Sequence, residues 1–171
     1  PQGLISLCYK PEDNFSELAA TGSSTFIYLH EIQDPGNAGT ILRTADAMGI
    51  SAVITSPDSV DMYSPKVVRS TAGSLWHIPV YEGIGFDQVD KQFAGIQKFL
   101  LSSHAKTSIL DLTIPGDCIA IFGNEARGVD ASALGSSVTE VTIPMAGRAE
   151  SLNLSAAASI VMFTLSSKVA G

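Results

Sequence analysis

Short apolar, β-branched runs recur along this chain with helical patterns between them. No other feature narrows the fold as far, because this alternation is the signature of βαβ units on a mostly parallel sheet with helices on its faces. The runs are residues 5–9, Thr25–Leu29, Ala52–Thr55, 98–102, Cys118–Phe122 and 138–143. Helices are predicted at residues 38–48, 64–71, 86–95, around 132–134, and 152–169. In the last of these, Leu154, Ala157, Ala158, Val161 and Leu165 fall on one stripe, and its small residues admit another backbone at close range. Gly, Pro and Asp punctuate the strand ends. With 171 residues, no internal repeat and no internal linker, the chain reads as one α/β domain: a mostly parallel sheet flanked by helices.

The totals limit what such a domain can do. Apolar residues make up 45% and charged residues 16%, as in an ordinary folded protein rather than a disordered one. The net charge of −7 argues against strong, non-specific nucleic-acid affinity, yet it leaves room for a local basic patch from Arg43, Lys66, Arg69, Arg127 and Arg148. Cys8 and Cys118 are far apart and in no metal-ligand spacing, so the expectation is a reduced, cytoplasmic protein with no metal and no membrane contact. No apolar run approaches the length needed to cross a bilayer. Residue 1 is Pro, and the opening Pro1-Gln-Gly-Leu reads as a linker running into a strand, which suggests a missing N-terminal module. Simple renumbering after processing is the alternative.

Where an apolar run meets a small-residue loop and then a helix, backbone N–H groups and short polar side chains converge on one point. Ile143-Pro-Met-Ala-Gly-Arg-Ala-Glu-Ser-Leu-Asn-Leu-Ser155 compresses such a junction. Asn37-Ala-Gly-Thr-Ile-Leu-Arg43 and Phe122-Gly-Asn-Glu-Ala-Arg-Gly128 are built the same way, and together the junctions point to an enzyme. In the first, Asp34-Pro-Gly is a turn and Asn37 is read as the helix N-cap. Ile41, Leu42, Ala45 and Met48 then share a face, leaving Arg43 roughly opposite, where it either binds a phosphate or carboxylate or is simply solvated. In the second, Gly123 and Gly128 let backbone approach a ligand or another loop, while Glu125 either pairs with an Arg or is exposed. In the third, one of Ser151 and Asn153 caps the last helix, and with Glu150 the site holds more polar groups than a cap requires.

The remaining motifs say less. Pro65 suits a helix start, and Lys66 and Arg69 lie three apart on one face as a weak basic patch. His30, His77 and His104 show no ligand spacing and read as structural. Neither a G-x-G-x-x-G nor a Walker pattern occurs, so the two common nucleotide folds lack support.

In order and spacing the junctions resemble the motifs of the SpoU-type, TrmH-like RNA 2′-O-ribose methyltransferases of the SPOUT superfamily. The first motif is matched by Asn37, Gly39 and Arg43, and the second by Phe122, Gly123, Asn124, Glu125 and Gly128. The third is matched by Ile143, Pro144, Met145 and Gly147 with Ser151, Leu152, Asn153, Leu154 and Ser155; the segment from Lys66 to Gly73 is also familial. The resemblance covers nearly the whole chain. It implies a deep C-terminal trefoil knot, a feature that pattern reading alone would not propose. S-adenosylmethionine held in a bent shape by the knot loops, an obligate homodimer and methylation of a ribose 2′-hydroxyl in structured RNA are implied as well. Many relatives carry a small RNA-binding domain first, so residues 1–12 are expected to be the linker and lead-in strand after one, and residues 13–171 the catalytic domain.

The resemblance also implies roles. Arg43 would bind the target phosphate and stabilise the forming alkoxide, since a guanidinium is a poor general base; a phosphate or water would take the proton. Asn37 would orient Arg43 or the substrate phosphate, Glu125 would hold an Arg or its own loop, and Ser151 and Asn153 would hydrogen-bond the ribose or Arg43. Gly123, Ile143, Met145 and Leu152 would wrap the cofactor, with Ser103, Phe122, Asn124, Gly128 and Pro144 beside them. Lys66, Arg69, Arg127 and Arg148 would face RNA. One protomer would bring Arg43 to the cofactor of the other. Ribosomal RNA is the first expectation for the substrate and transfer RNA the second. A non-catalytic RNA-binding or assembly factor on the same fold, and a base-directed methyltransferase, are the competing readings.

Overall fold

The computed structural model describes residues 3, 6–11, 14–124, 127–129, 134 and 137–169. Strands β1 (Thr25–Leu29), β2 (Ala52–Thr55), β3 (Val80–Tyr81), β4 (Gln97–Leu101), β5 (Cys118–Phe122) and β6 (Val138–Val141) form a 6-stranded sheet in the order β3-β2-β1-β5-β4-β6. Neighbouring strands pair in parallel, with Ile27 beside Val53 on one side and Ala120 on the other. Helices α1 (Pro35–Ala47), α2 (Pro65–Ser70), α3 (Phe86–Gln92) and α4 (Leu154–Val169) connect or cover them, with 3-10 turns at Phe15–Glu17, Ser74–Trp76 and Ile109–Asp111.

Alternation along the strands builds two cores. Ile27, Leu29, Val53, Ala120 and Phe122 face one way, onto Ile41, Leu42 and Ala45 of α1 and Val161 and Leu165 of α4. Phe26, Tyr28, Ile54, Ile119 and Ile121 face the other way, onto Val89 and Phe93. β1, β2 and β5 are buried at every position, as expected of parallel strands covered on both sides. Lys98 of β4, whose ammonium is buried against the end of α3, donates to the Phe93 carbonyl at 2.9 Å and pairs with Asp90 at 3.0 Å. It thereby satisfies the end of α3, and its hydrogen bond holds the Asp90 carboxyl below the usual range.

Several boundaries differ from the sequence expectation. Residues 6–9 form no strand, and Leu7 and Tyr9 are fully exposed: the run meets no sheet edge, and the segment is tied down through Lys10, which pairs with Glu82 and lies over the Tyr63 ring. Ile5 and residues 132–133 of the expected short helix lie outside the described residues; Leu134 is buried. β3 has two residues, too few to leave a periodic signal. The helix expected over 86–95 ends at Gln92, before Gly95 at φ 83°.

α1 starts earlier than expected, because Asp34 rather than Asn37 caps it. The Asp34 carboxylate accepts from the Asn37 N–H at 2.7 Å, and Pro35 suits the first turn, where its missing donor is no loss. α4 starts later than expected because Asn153 is its cap: the amide oxygen accepts from the N–H groups of Ser155 at 2.9 Å and Ala156 at 3.3 Å. The expected stripe on α4 is buried at Ala157, Ala158, Val161 and Leu165 and joined by Met162, while Leu154 is half-buried.

β6 stops at Val141 because Thr142 changes partner. Its N–H donates to the Thr107 carbonyl at 2.8 Å, and its carbonyl accepts from Ile109 at 2.9 Å. Near the end of α4, Lys168 donates to the carbonyls of Leu110 at 2.8 Å and Leu112 at 2.9 Å. The β4–β5 connection is thus gripped from two places by later parts of the chain. Among the described residues, no helix is long and apolar enough to cross a membrane.

Gly39 has a packing role. A Cβ there would lie 1.7 Å from Ser70 Oγ and 2.6 Å from Ser70 Cβ, so the absent side chain is what lets α1 and α2 touch. Gly39→Ala is expected to destabilise the fold by about 1–3 kcal/mol through overpacking, read as a lower melting temperature.

Candidate active site

From β1 the chain steps outward to β2 and β3; β5, β4 and β6 lie on the other side. Ligands of open α/β sheets bind where the order reverses, outside the carboxyl ends of the strands. A cleft of about 570 Å³ opens at that end, beyond β4, β5 and β6. Its size falls in the range of about 300–1,000 Å³ typical of small-molecule and cofactor sites.

All three junctions reach this cleft. The first contributes Asn37; the second contributes Phe122, Gly123, Asn124, Arg127 and Gly128. From the third come Ile143 and Met145, then Ser151, Leu152 and Asn153. Ser103 lines the wall beyond β4. The first and third junctions touch directly, since Asn153 Nδ2 donates to Asn37 Oδ1 at 3.1 Å. Because Asp34 caps α1, the Asn37 side chain is available for this contact, and Asn153 uses its other end as the cap of α4.

The second junction closes on itself. A Cβ on Gly123 would meet Val129 Cγ2 at 2.5 Å and the Gly128 backbone at 2.7 Å, and Gly128 sits at φ 65°. The Gly128 N–H donates to the Asn124 carbonyl at 2.8 Å. The buried Asn124 amide donates to the Glu31 carbonyl at 2.9 Å and accepts from the Arg127 N–H at 3.1 Å. Expected at the cofactor, Asn124 also fixes the loop to the exit of β1.

Other expected site residues lie elsewhere. Arg43 is exposed on α1 and does not line the cleft of its own chain. Six residues beyond Asn37, it lies roughly 9 Å along the helix and about 240° around it. Pro144, Lys66, Arg69 and Arg148 are exposed and also outside the cleft lining. Glu125 lies outside the described residues. Arg127 is no freely solvated cation, because its Nη2 donates to Glu31 Oε2 at 2.6 Å.

Sequence reasoning overlooked Glu31 and Thr142 and read His104 as structural; all three lie at or beside strand exits. His104 and Thr142 line the cleft, and the readable signal was the polar run Ser102-Ser103-His104 directly after an apolar strand. His77, read as structural, ties the end of α1 to the Ser74–Trp76 turn through Asp46 at 2.9 Å and holds that carboxyl below the usual range. No group of His, Cys, Asp and Glu among the described residues is placed to hold a metal.

An all-parallel sheet with a cofactor-sized cleft at its carboxyl edge defines an α/β ligand-binding protein of the open twisted-sheet class. Residues 24–163 match the model of the SpoU rRNA Methylase family, and the chain belongs to that family. It is 34% identical over 166 residues to the 23S rRNA (guanosine(2553)-2′-O)-methyltransferase RlmP of Bacillus subtilis, covering 96% of this chain and 65% of that one. To the 23S rRNA (uridine(2479)-2′-O)-methyltransferase of Streptomyces viridochromogenes it is 29% identical, with coverages of 95% and 59%. The fold superposes on the AdoMet-bound rRNA methyltransferase from Sinorhizobium meliloti with a TM-score of 0.84 and 30% identity, covering 91% of this chain and 60% of that one. The chain therefore spans about 60% of the length of the curated relatives it matches.

Proposed function

We propose that this chain transfers a methyl group from S-adenosylmethionine to a ribose 2′-hydroxyl in RNA, with ribosomal RNA as the substrate class. The observation that carries the proposal is the convergence of the three junctions on one cleft, sealed by the Asn37–Asn153 contact. The activities for which the Bacillus and Streptomyces relatives are named favour the 2′-hydroxyl and ribosomal RNA.

The cleft fits the cofactor. Met145 and Leu152 are large apolar side chains left 39% exposed where they line it, a surface that an adenine ring would cover. The glycine-rich turn at Gly123 and Gly128 brings bare backbone to the same wall. When bound, S-adenosylmethionine supplies an activated methyl group on a sulfonium. The chain must then place the ribose oxygen in line and ease the loss of its proton. Asn37 and Asn153 hold each other at the rim and orient the ribose or its phosphate. Ser151, one residue before Leu152, offers a hydroxyl that donates and accepts there. Arg43 stabilises the developing alkoxide and binds the adjacent phosphate; a phosphate oxygen or water takes the proton.

Arg43 faces away from its own cleft, so the reaction needs a second copy of the chain. Thr44 Oγ1 and Ser159 Oγ, both half-buried, lie 3.3 Å apart and join α1 to α4 one residue from Arg43 and from Ile160. On α4, Ile160 and Phe163 are apolar side chains left exposed at 41% and 63%. A homodimer formed through this face covers them and carries Arg43 to the partner's cleft. The gripped β4–β5 connection supports the knotted path, and family membership is consistent with an RNA-binding module ahead of the catalytic domain and with work in the cytoplasm.

Leu152→Arg tests the cofactor assignment. Leu152 is exposed, so the fold is expected to survive, while affinity for S-adenosylmethionine falls by at least about tenfold in calorimetry as a charge enters the adenine wall. Unchanged binding would remove the cofactor from this cleft.

A further inference from the structure

Glu31 lies just beyond β1 with its backbone at φ 51°. Non-glycine residues occupy this left-handed region at a cost, and such positions concentrate at functional sites. Three contacts hold Glu31 there. Its N–H donates to Ser56 Oγ at 2.7 Å, its carbonyl accepts from Asn124 Nδ2 at 2.9 Å, and its carboxylate accepts from Arg127 Nη2 at 2.6 Å. Asn124 Oδ1 also accepts from the Arg127 N–H at 3.1 Å. Glu31 and Arg127 are thus tied twice, once through a buried amide and once through their charges. An exposed ion pair adds little stability, and the Arg127 side chain is 73% exposed, so the pair calls for another purpose.

Among the described residues, Arg127 is the only Lys or Arg that lines the cleft. In a chain of net charge −7, a cation meant for RNA must be aimed rather than left to a general positive field. A guanidinium carries five N–H donors in a planar fork, and Glu31 engages the group at Nη2. The others remain for an oxyanion.

We propose that Glu31 is a positioning residue that holds Arg127 at the cleft so that its remaining N–H groups take a backbone phosphate of the RNA beside the target ribose. The inference rests on the RNA methyltransferase reading above and adds to it a phosphate subsite built from the β1 exit and the second junction. It makes a prediction opposite to that of plain electrostatics. Removing an acid near the RNA path should strengthen RNA binding if charge alone matters. Removing the group that aims Arg127 should weaken it.

The test is steady-state methylation of unmodified, in-vitro-transcribed 23S ribosomal RNA by wild type, Glu31→Gln, Arg127→Ala and the double variant, with S-adenosylmethionine affinity measured in parallel. Glu31→Gln keeps the backbone contacts and size, and Arg127→Ala trims an exposed side chain, so both should fold. Glu31→Gln and Arg127→Ala are expected to raise KM for RNA by about five- to tenfold, with kcat and cofactor affinity within about twofold of wild type. The double variant should be no worse than Arg127→Ala. In Arg127→Ala the dependence of RNA binding on log salt should flatten by roughly 0.7–0.9, as expected for one lost phosphate contact. Tighter or unchanged RNA binding in Glu31→Gln, or additive losses in the double variant, would overturn the assignment while leaving the enzyme reading intact. A loss of cofactor affinity or melting temperature with KM for RNA unchanged would reduce the pair to a structural tie. Wild type that methylates no RNA would overturn both the subsite and the function on which it rests.

Discussion

Arg43→Ala is expected to lower methyl transfer by roughly 10²–10³-fold while S-adenosylmethionine binds as in wild type. The magnitude is that of removing one preorganised donor aimed at a developing oxyanion. Stability should not change, because Arg43 is exposed on α1 and away from the cleft of its own chain. Arg43→Lys should not rescue, since an ammonium cannot present the planar fork that meets phosphate and alkoxide together. A mixing experiment locates the group. Arg43→Ala protomers keep an intact cleft, and Leu152→Arg protomers keep an intact Arg43. Together they should recover roughly a quarter of wild-type activity, because randomly paired mixed dimers contain one complete site. No recovery would mean that Arg43 serves its own chain or does not serve at all.

The proposed pairing face provides the second large effect. Ile160→Asp with Phe163→Asp is expected to convert a dimer into monomers in sedimentation velocity and to lower methyl transfer as far as Arg43→Ala does. The side chains already stand in solvent at 41% and 63% exposure in the single chain, so the monomer should keep its fold and melting temperature. In a dimer each would bring a charge into an apolar contact, a penalty that the association could not absorb. Wild type that sediments as a monomer while remaining active would refute the shared site.

Much of this is legible in the sequence. Thr25–Leu29, Ala52–Thr55 and Cys118–Phe122 are continuous apolar runs because both faces of a parallel strand are covered, and their bounds match the observed strands. The α4 stripe was readable because Ala157, Ala158, Val161 and Leu165 obey helical spacing against a single core. Residues whose environment depends on distant chain were harder. Leu7 and Tyr9 alternate like strand residues, but alternation does not reveal whether a sheet edge is available. Thr142 leaves the β4 ladder for the Thr107 loop, a choice made by the path of the β4–β5 connection rather than by Thr142 itself.

The site divides along the same line. Asn37 could be singled out as a helix cap and Asn153 as polar excess at a helix start, yet their 3.1 Å contact spans 116 positions and was invisible in either segment. Capping chemistry misled at Asn37, because Asp34 and Pro35 are a better helix start and sit just upstream. Glu31 left no trace, since nothing in a strand exit announces a left-handed acid whose partner lies 96 residues away. The apparent mismatch between a net charge of −7 and an RNA substrate is resolved locally if Arg127 is aimed by Glu31 and Arg43 is delivered by a second copy.

The most direct measurement is of the product. Unmodified 23S ribosomal RNA is incubated with the chain and methyl-labelled S-adenosylmethionine, digested to nucleosides and resolved by mass spectrometry. A label carried on the ribose of one nucleoside, absent when Arg43→Ala protein is used, is the predicted result. A label on a base, or none on RNA while the cofactor is bound, would contradict the assignment of this cleft to ribose 2′-O-methylation.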